Sequence, residues 1–203
     1  DLGRVTRPGK FFDFTRYRPN MRLVEGRREV VIPNSIIRYA KVENGPDYLF
    51  FHLMEPHSNS EDYTESILGI VKYFGVKRYC RVGAMYDAVP HTRPLLITGS
   101  LGVVPQLRPV ANFKIRRSTY QGPTTIMNLV SEGIERLHID SMNFMVHLPQ
   151  YLQLEEDYAG TSRMLEVLSS VYDVIPADQA TVRRGQRQYR ELIGAVERNA
   201  ELK

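Results

Sequence analysis

The sequence predicts an α/β fold with a mixed, mostly parallel sheet in a single domain over residues 1–203. Three observations carry that expectation. Strand-like and helix-like segments alternate from Tyr48 to Val82 in the order strand, helix, strand, which favours a parallel pairing. A second helix and strand follow between Gly122 and Val146, and no repeat or long linker divides the chain.

Met21 to Ile32 carries two short apolar-alternating stretches around Glu25-Gly26-Arg27, a hairpin signal. Ile36 to Val42 and Tyr48 to Leu53 are β-branched and aromatic, and Asn44-Gly45-Pro46 punctuates them, so two further strands are expected. Tyr63, Ile67, Ile70, Val71 and Phe74 recur at helical spacing behind Ser60, with Gly75 as the stop. Val76 to Val82 returns to strand composition, and Leu95 to Thr98 is a further short strand.

Gly99 to Pro109 holds too much Gly and Pro for a long element and is expected to be a loop, after which Phe113 to Arg117 re-enters the sheet. Pro123 opens a helix bearing Ile126, Leu129, Val130, Ile134 and Leu137. Ile139 to Val146 reads as a strand whose Met142, Phe144 and Val146 face a core. Met164, Leu165, Leu168, Val171 and Tyr172 mark the next helix. A terminal amphipathic helix over 178–203 carries Val182, Tyr189, Leu192, Ile193 and Val196 on one face and arginines on the other.

Composition excludes several classes. Hydrophobic residues make up 42% and charged residues 25%, which is globular usage rather than that of a disordered or fibrous chain. No apolar run approaches the roughly 20 residues of a membrane span, so no membrane partner is expected. The single cysteine, Cys80, excludes an intramolecular disulfide and a thiolate zinc site and fits a cytoplasmic location. The formal charge of +4 is mild, and the arginine clusters at 4, 7, 16, 18, 22, 27 and 28 and at 183, 184, 187 and 190 read as a solvated or partner-binding face. Nucleic-acid binding is not favoured, because the first cluster is interleaved with Asp13, Glu25 and Glu29 and no recognition motif accompanies it.

Ligands of open α/β sheets bind beyond the carboxyl ends of parallel strands. The loops expected there are Met54 to Ser60, Gly83 to Pro94 and Leu148 to Leu152, with the turn Gly122 to Thr125. They offer Glu55, His57, Asp87, His91, Arg93, Gly122, Thr124, Thr125 and Tyr151 as candidates. His91 could act as an acid or base with Arg93 holding an anion, and Asp87 is the third catalytic candidate. The favoured reading of Val89-Pro90-His91-Thr92-Arg93-Pro94 is instead a rigid loop, with Arg93 paired to Asp87. His52, Glu55 and His57 match no helical zinc motif, so no metal is expected and a fixed Glu55-Pro56 turn is. Gly122-Pro123-Thr124-Thr125 could bind phosphate through free amides, although helix capping is the default. Cys80 is expected to be a buried, inert thiol. No catalytic constellation is coherent, and no cofactor is expected.

Four blocks taken together resemble the proteasome assembly chaperone 2 family. They are Asp13-Phe14-Thr15-Arg16-Tyr17-Arg18-Pro19, Val89 to Pro94, Tyr120-Gln121-Gly122-Pro123 and Leu148-Pro149-Gln150-Tyr151, and their order matches. The prokaryotic branch is the most similar. The resemblance implies a three-layer α/β/α sandwich similar to nucleoside phosphorylases, in proteins that self-associate and whose bacterial members largely lack an assigned activity. Eukaryotic relatives assist assembly of the proteasome α-ring, and some archaeal relatives bind the proteasome.

Two departures bear on the transfer. The family opens with a strand and a glycine-bearing turn before the Asp13 block, and here that unit is missing or reduced to Asp1-Leu2-Gly3, so the first strand-helix unit is expected outside this sequence. Proteasome-binding relatives end in a hydrophobic-tyrosine-any tripeptide. Glu201-Leu202-Lys203 has leucine in the middle place, so docking through this tail is not expected unless the true terminus lies beyond Lys203. The leading expectation is a non-enzymatic, chaperone-like interaction protein forming homo-oligomers. The rival is an enzyme or small-ligand binder for a phosphate-bearing or nucleoside-like compound.

Overall fold

A computed structural model describes residues 1–101, 115, 119–152, 154–172 and 179–198. The chain divides into two compact units, one from residues 1–76 and 122–137, the other from 77–121 and 138–203.

In the first unit, β1 (Gly3–Arg4), β4 (Ile36–Ala40) and β5 (Tyr48–His52) form an antiparallel sheet in the order β1-β4-β5. A separate hairpin pairs β2 (Asn20–Val24) with β3 (Arg27–Val31) through Glu25 and Gly26. Both turn residues have positive φ, 48° and 78°, the mirror-image turn whose twist matches that of the flanking strands. The hairpin read from the sequence is present with that turn.

Helix α1 (Ser60–Tyr73) buries Tyr63, Ile67 and Val71. Gly75 follows it at φ 58°, a left-handed conformation that glycine adopts without strain, as the sequence anticipates. Helix α2 (Ile126–Arg136) buries Ile126, Val130 and Ile134 and packs on α1. Phe11 and Phe12 complete this core against the Tyr63 ring, with centroids 5.2 and 5.9 Å away. The Tyr63 hydroxyl meets buried Ser35 Oγ at 2.6 Å and donates to the Met54 carbonyl at 3.1 Å, while Met54 N–H donates to Ser35 Oγ at 2.8 Å. The one phenol brought into this core is therefore fully satisfied, and burial raises its pKa.

In the second unit, β6 (Arg78–Asp87), β7 (Ile97–Ser100) and β8 (Asp140–Pro149) form a mixed sheet with β8 in the middle. β6 pairs with β8 in parallel from Arg78↔Asp140 to Asp87↔Pro149, and β7 pairs with it antiparallel. Met142, Phe144 and Val146 all face the core, as their alternation predicts, beside Leu95, Ile97, Leu152, Val167 and Tyr189. Helix α3 (Tyr158–Val171) is capped by Asp157, whose Oδ1 accepts from Gly160 N–H at 2.7 Å. Helix α4 (Gln179–Arg198) packs on α3. Gly185 stands in the same stripe as Val182 and Tyr189, and a Cβ there would lie 2.8 Å from the Ala159 backbone, so glycine sets the close approach of the two helices.

Three expectations change. Among the described strands one pair is parallel and four are antiparallel, so the sheet is not mostly parallel. β5 and β6, read as neighbours across α1, belong to different sheets: β5 closes on β4 across a short connection, and the parallel partner of β6 comes only after α2. β6 also runs to Asp87 rather than ending at Val82, because its long ladder with β8 carries it through Gly83. Most of the loop expected from Gly99 to Pro109 and of the strand from Phe113 to Arg117 lies outside the described residues, as does the tail 199–203.

A Cβ on Gly99 would stand 2.0 Å from the Asn143 carbonyl oxygen, inside the β7–β8 ladder. Gly99→Ala is expected to lower the unfolding free energy by about 3 kcal/mol, measured by urea denaturation. An unchanged midpoint would mean that β7 does not pair with β8 in this register.

Candidate functional site

The carboxyl ends of the parallel strands gather a polar array in the second unit. Asp87 is the last residue of β6, His147 lies near the end of β8 and Thr98 lies within β7. His147 Nδ1 is 2.7 Å from Asp87 Oδ2, and its Nε2 is 2.8 Å from Thr98 Oγ1. A carboxylate only accepts hydrogen bonds, so Nδ1 carries the proton that donates to Asp87, while Nε2 shares a hydrogen bond with the Thr98 hydroxyl. The His147 hydrogen bond, followed by that from Ala88 N–H, holds the Asp87 carboxyl below its ordinary range. Asp87 therefore pairs with His147, not with Arg93. Arg93 is exposed and makes no ion pair among the described residues.

Beyond the strand ends, the Tyr151 hydroxyl accepts from His91 N–H at 2.9 Å and lies 2.6 Å from His91 Nδ1. The His91 ring stands edge-on between Tyr151 and Tyr189, at centroid distances of 5.6 and 6.3 Å. Its Nε2 is buried without a hydrogen-bond partner among the described residues. Tyr189 donates to Asp157 Oδ2 at 2.8 Å, so one carboxylate caps α3 and anchors α4. Burial first, then this bond, raises the Tyr189 pKa.

The remaining candidates lie in the first unit. Glu55 Oε1 accepts from Ile126 N–H at 2.8 Å, so the amino end of α2 already holds a carboxylate of the chain itself. Thr124 Oγ1 accepts from Asn128 Nδ2, Thr125 is the N-cap without a side-chain capping bond, and Gly122 is exposed. His57 Nδ1 accepts from Asp13 N–H at 3.2 Å, and its ring lies 4.7 Å from that of Tyr17. Thus the Met54 to Ser60 loop braces the Asp13 block. Within that block Asp13 Oδ1 accepts from Thr15 N–H and Oγ1, at 2.8 and 2.7 Å, and those bonds lower its pKa.

The structure thus brings Asp87, His91 and Tyr151 to one end of a sheet and places Glu55, His57, Gly122, Thr124 and Thr125 in the other unit. Sequence reasoning missed Thr98 and His147, which bind Asp87 into an array, and Tyr189. The signal for His147 is a histidine within the apolar run Met145 to Leu148, where a buried imidazole needs a partner on each nitrogen. Among the described residues no group of three or more His, Cys, Asp or Glu side chains could hold a metal. Burial pushes the Cys80 thiol up to about 11, which opposes nucleophilic use. No described helix is long and apolar enough to cross a membrane.

The fold and the paired elements at its strand ends define the class through their relatives. The profile of the PAC2 family matches residues 6–193, and the chain belongs to that family. The structure is similar to that of a PAC2 family protein from Streptomyces avermitilis, with a TM-score of 0.81 and 20% identity over 99% of this chain and 84% of the other. It is similar to a proteasome-assembly chaperone homologue from Mycobacterium tuberculosis, with a TM-score of 0.80 and 22% identity over 95% and 81%. An archaeal homologue of proteasome-assembly chaperone from Pyrococcus furiosus is more distant, with a TM-score of 0.58 and 13% identity over 88% and 71%. No curated protein matches the sequence.

Asp87→Asn is expected to lower the melting temperature at pH 7. A carboxyl whose folded pKa lies below its unfolded value near 3.9 contributes stability above that value and loses it as pH falls through the folded pKa. The gap between variant and wild type should therefore close below about pH 4. A gap independent of pH would show that the Asp87–His147 bond does not carry the effect.

Proposed function

We propose that this protein is a non-enzymatic, assembly-chaperone-like member of the PAC2 family that works in the cytoplasm by binding other proteins and by self-association. The family match across residues 6–193 carries the reading. The polar groups at the strand ends support it, because Asp87, His147 and Thr98 are spent on one another and Tyr151 on His91. The rival reading rests on His91, Arg93 and Thr124, and against its anion site Glu55 Oε1 already accepts from Ile126 N–H at the amino end of the helix that follows Thr124. Neither nucleic acid nor a membrane belongs to the proposal.

The test pairs two measurements on the purified protein. Binding to cognate proteasome α-type subunits, read by interferometry, is expected. No phosphate, nucleoside or nucleotide is expected to shift the melting temperature, although a ligand at 100 times its dissociation constant would add about 2.7 kcal/mol. Turnover of a nucleoside or nucleotide that His91→Ala abolishes would replace this reading with the enzymatic one.

We further propose that the two units act as one domain of three α/β/α layers. The chain passes between them at 76–77, 121–122 and 137–138, so the first unit is discontinuous in sequence and both contribute to the path from β6 to β8. A single calorimetric unfolding transition is expected. Two resolved transitions would divide the chain into independently folding parts.

A further inference from the structure

Among the described residues, the hairpin β2–β3 has no core behind it. Residues 20 to 32 are all exposed, and among the described elements the two strands make their principal contacts with each other. A two-stranded hairpin alone in water is marginal, and its stability comes from a layer packed on one face.

The register shows which face. Met21 stands opposite Val30 and Leu23 opposite Arg28, and Ile32 continues the same side. The other face pairs Asn20 with Val31, Arg22 with Glu29 and Val24 with Arg27. One side is thus an aliphatic strip whose members are 64% (Met21), 71% (Leu23), 59% (Val30) and 47% (Ile32) exposed, while the other is mainly polar and charged. This is the alternation of a strand pair from a two-layer β-sandwich with one layer present.

We infer that the missing layer is the same hairpin of a second copy of this chain, an inference that rests on the self-association proposed above and names its surface. The strip amounts to roughly 400 Å² of apolar area per copy, as large as the whole apolar patch of a typical monomer. Two strips and their charged rims reach the lower end of a specific interface, about 1,200 Å² in total. The face is self-complementary. A two-fold axis along the strands and midway between them sets Met21 over Val30 of the partner subunit and the reverse. It sets Leu23 over the aliphatic stem of Arg28 of the partner subunit. Arg28 is the one charge within the strip, and the nearest acid of the facing hairpin is Glu25 in its turn, so opposite charges meet twice by symmetry. Pro19 and Pro33 bracket the hairpin and interrupt its outer hydrogen-bonding edges, which leaves the face rather than the edge for docking.

The test is sedimentation velocity of the full chain over a wide concentration range, with circular dichroism as the folding control. Leu23→Glu with Val30→Glu is expected to raise the dissociation constant roughly thirtyfold or more. Arg28→Glu alone and Glu25→Arg alone should each weaken association, and the two together should restore it, a rescue that a folding defect would not produce. A wild type that is monomeric throughout overturns the self-association itself. An assembly that keeps its size and affinity in all of these variants overturns only the hairpin as its surface. A monomer that floats with phosphatidylserine vesicles and loses this with Leu23→Glu reassigns the face to a membrane.

Discussion

Strand β8 stands between a parallel neighbour and an antiparallel one, and the side chains of Asp87, His147 and Thr98 hydrogen-bond in series across all three strands. Two neighbours that approach β8 from different directions in the chain are held in register by one imidazole whose nitrogens are both engaged. The arrangement has the order of a hydrolytic relay, carboxylate to imidazole to hydroxyl, but the hydroxyl belongs to a buried residue within a β-ladder. With the His147 Nδ1 proton held by the carboxylate, the array clamps the strand ends that the rest of the unit is built upon. Gln150 N–H donating to the Asp87 carbonyl adds a backbone tie at the same level.

From that clamp the chain proceeds to Tyr151, and His91 closes back on it from the other strand end. Asp157 and Tyr189 then fasten the two helices that cover the sheet core. The same logic operates in the first unit, where Glu55 caps α2 and the backbone N–H groups of His57 and Ser58 hold the Phe11 carbonyl. Residue types that chemistry uses are here distributed as capping groups and braces. Buried or chain-end polar groups must find partners, and in a fold with many short connections those partners are most often in other loops.

Much of this was legible in the sequence. Glu25-Gly26 fixed the hairpin because few residues accept two successive positive φ angles, and the spacing of Met142, Phe144 and Val146 identified the central strand because it is buried on the side those residues share. Strand partnership was not legible. A strand-helix-strand order says that a crossover is possible, but β5 had a nearer partner in β4, and local antiparallel closure costs less chain entropy. Asp87 was read as a loop residue because Gly83 looks like a strand end when the long ladder that carries it is invisible. His147 and Thr98 are 49 residues apart, and no local pattern links them. Gly185 likewise reads as a weak point in a helix until Ala159 is seen against it.

The same contrast separates the two surfaces on which function could rest. At the strand ends most polar atoms are satisfied, and a small ligand that displaced the His147–Thr98 bond would leave a buried group unpaired at about 1–3 kcal/mol. At the hairpin the reverse holds: an apolar strip lies in water with nothing internal to lose, and its burial against another protein displaces only solvent. Selection for folding alone would not keep Met, Leu, Val and Ile on the exposed face of a two-stranded arm, since polar β-formers would serve the turn and register equally well. On the proposed reading, the strip gains more by association than the strand ends would by taking up a ligand.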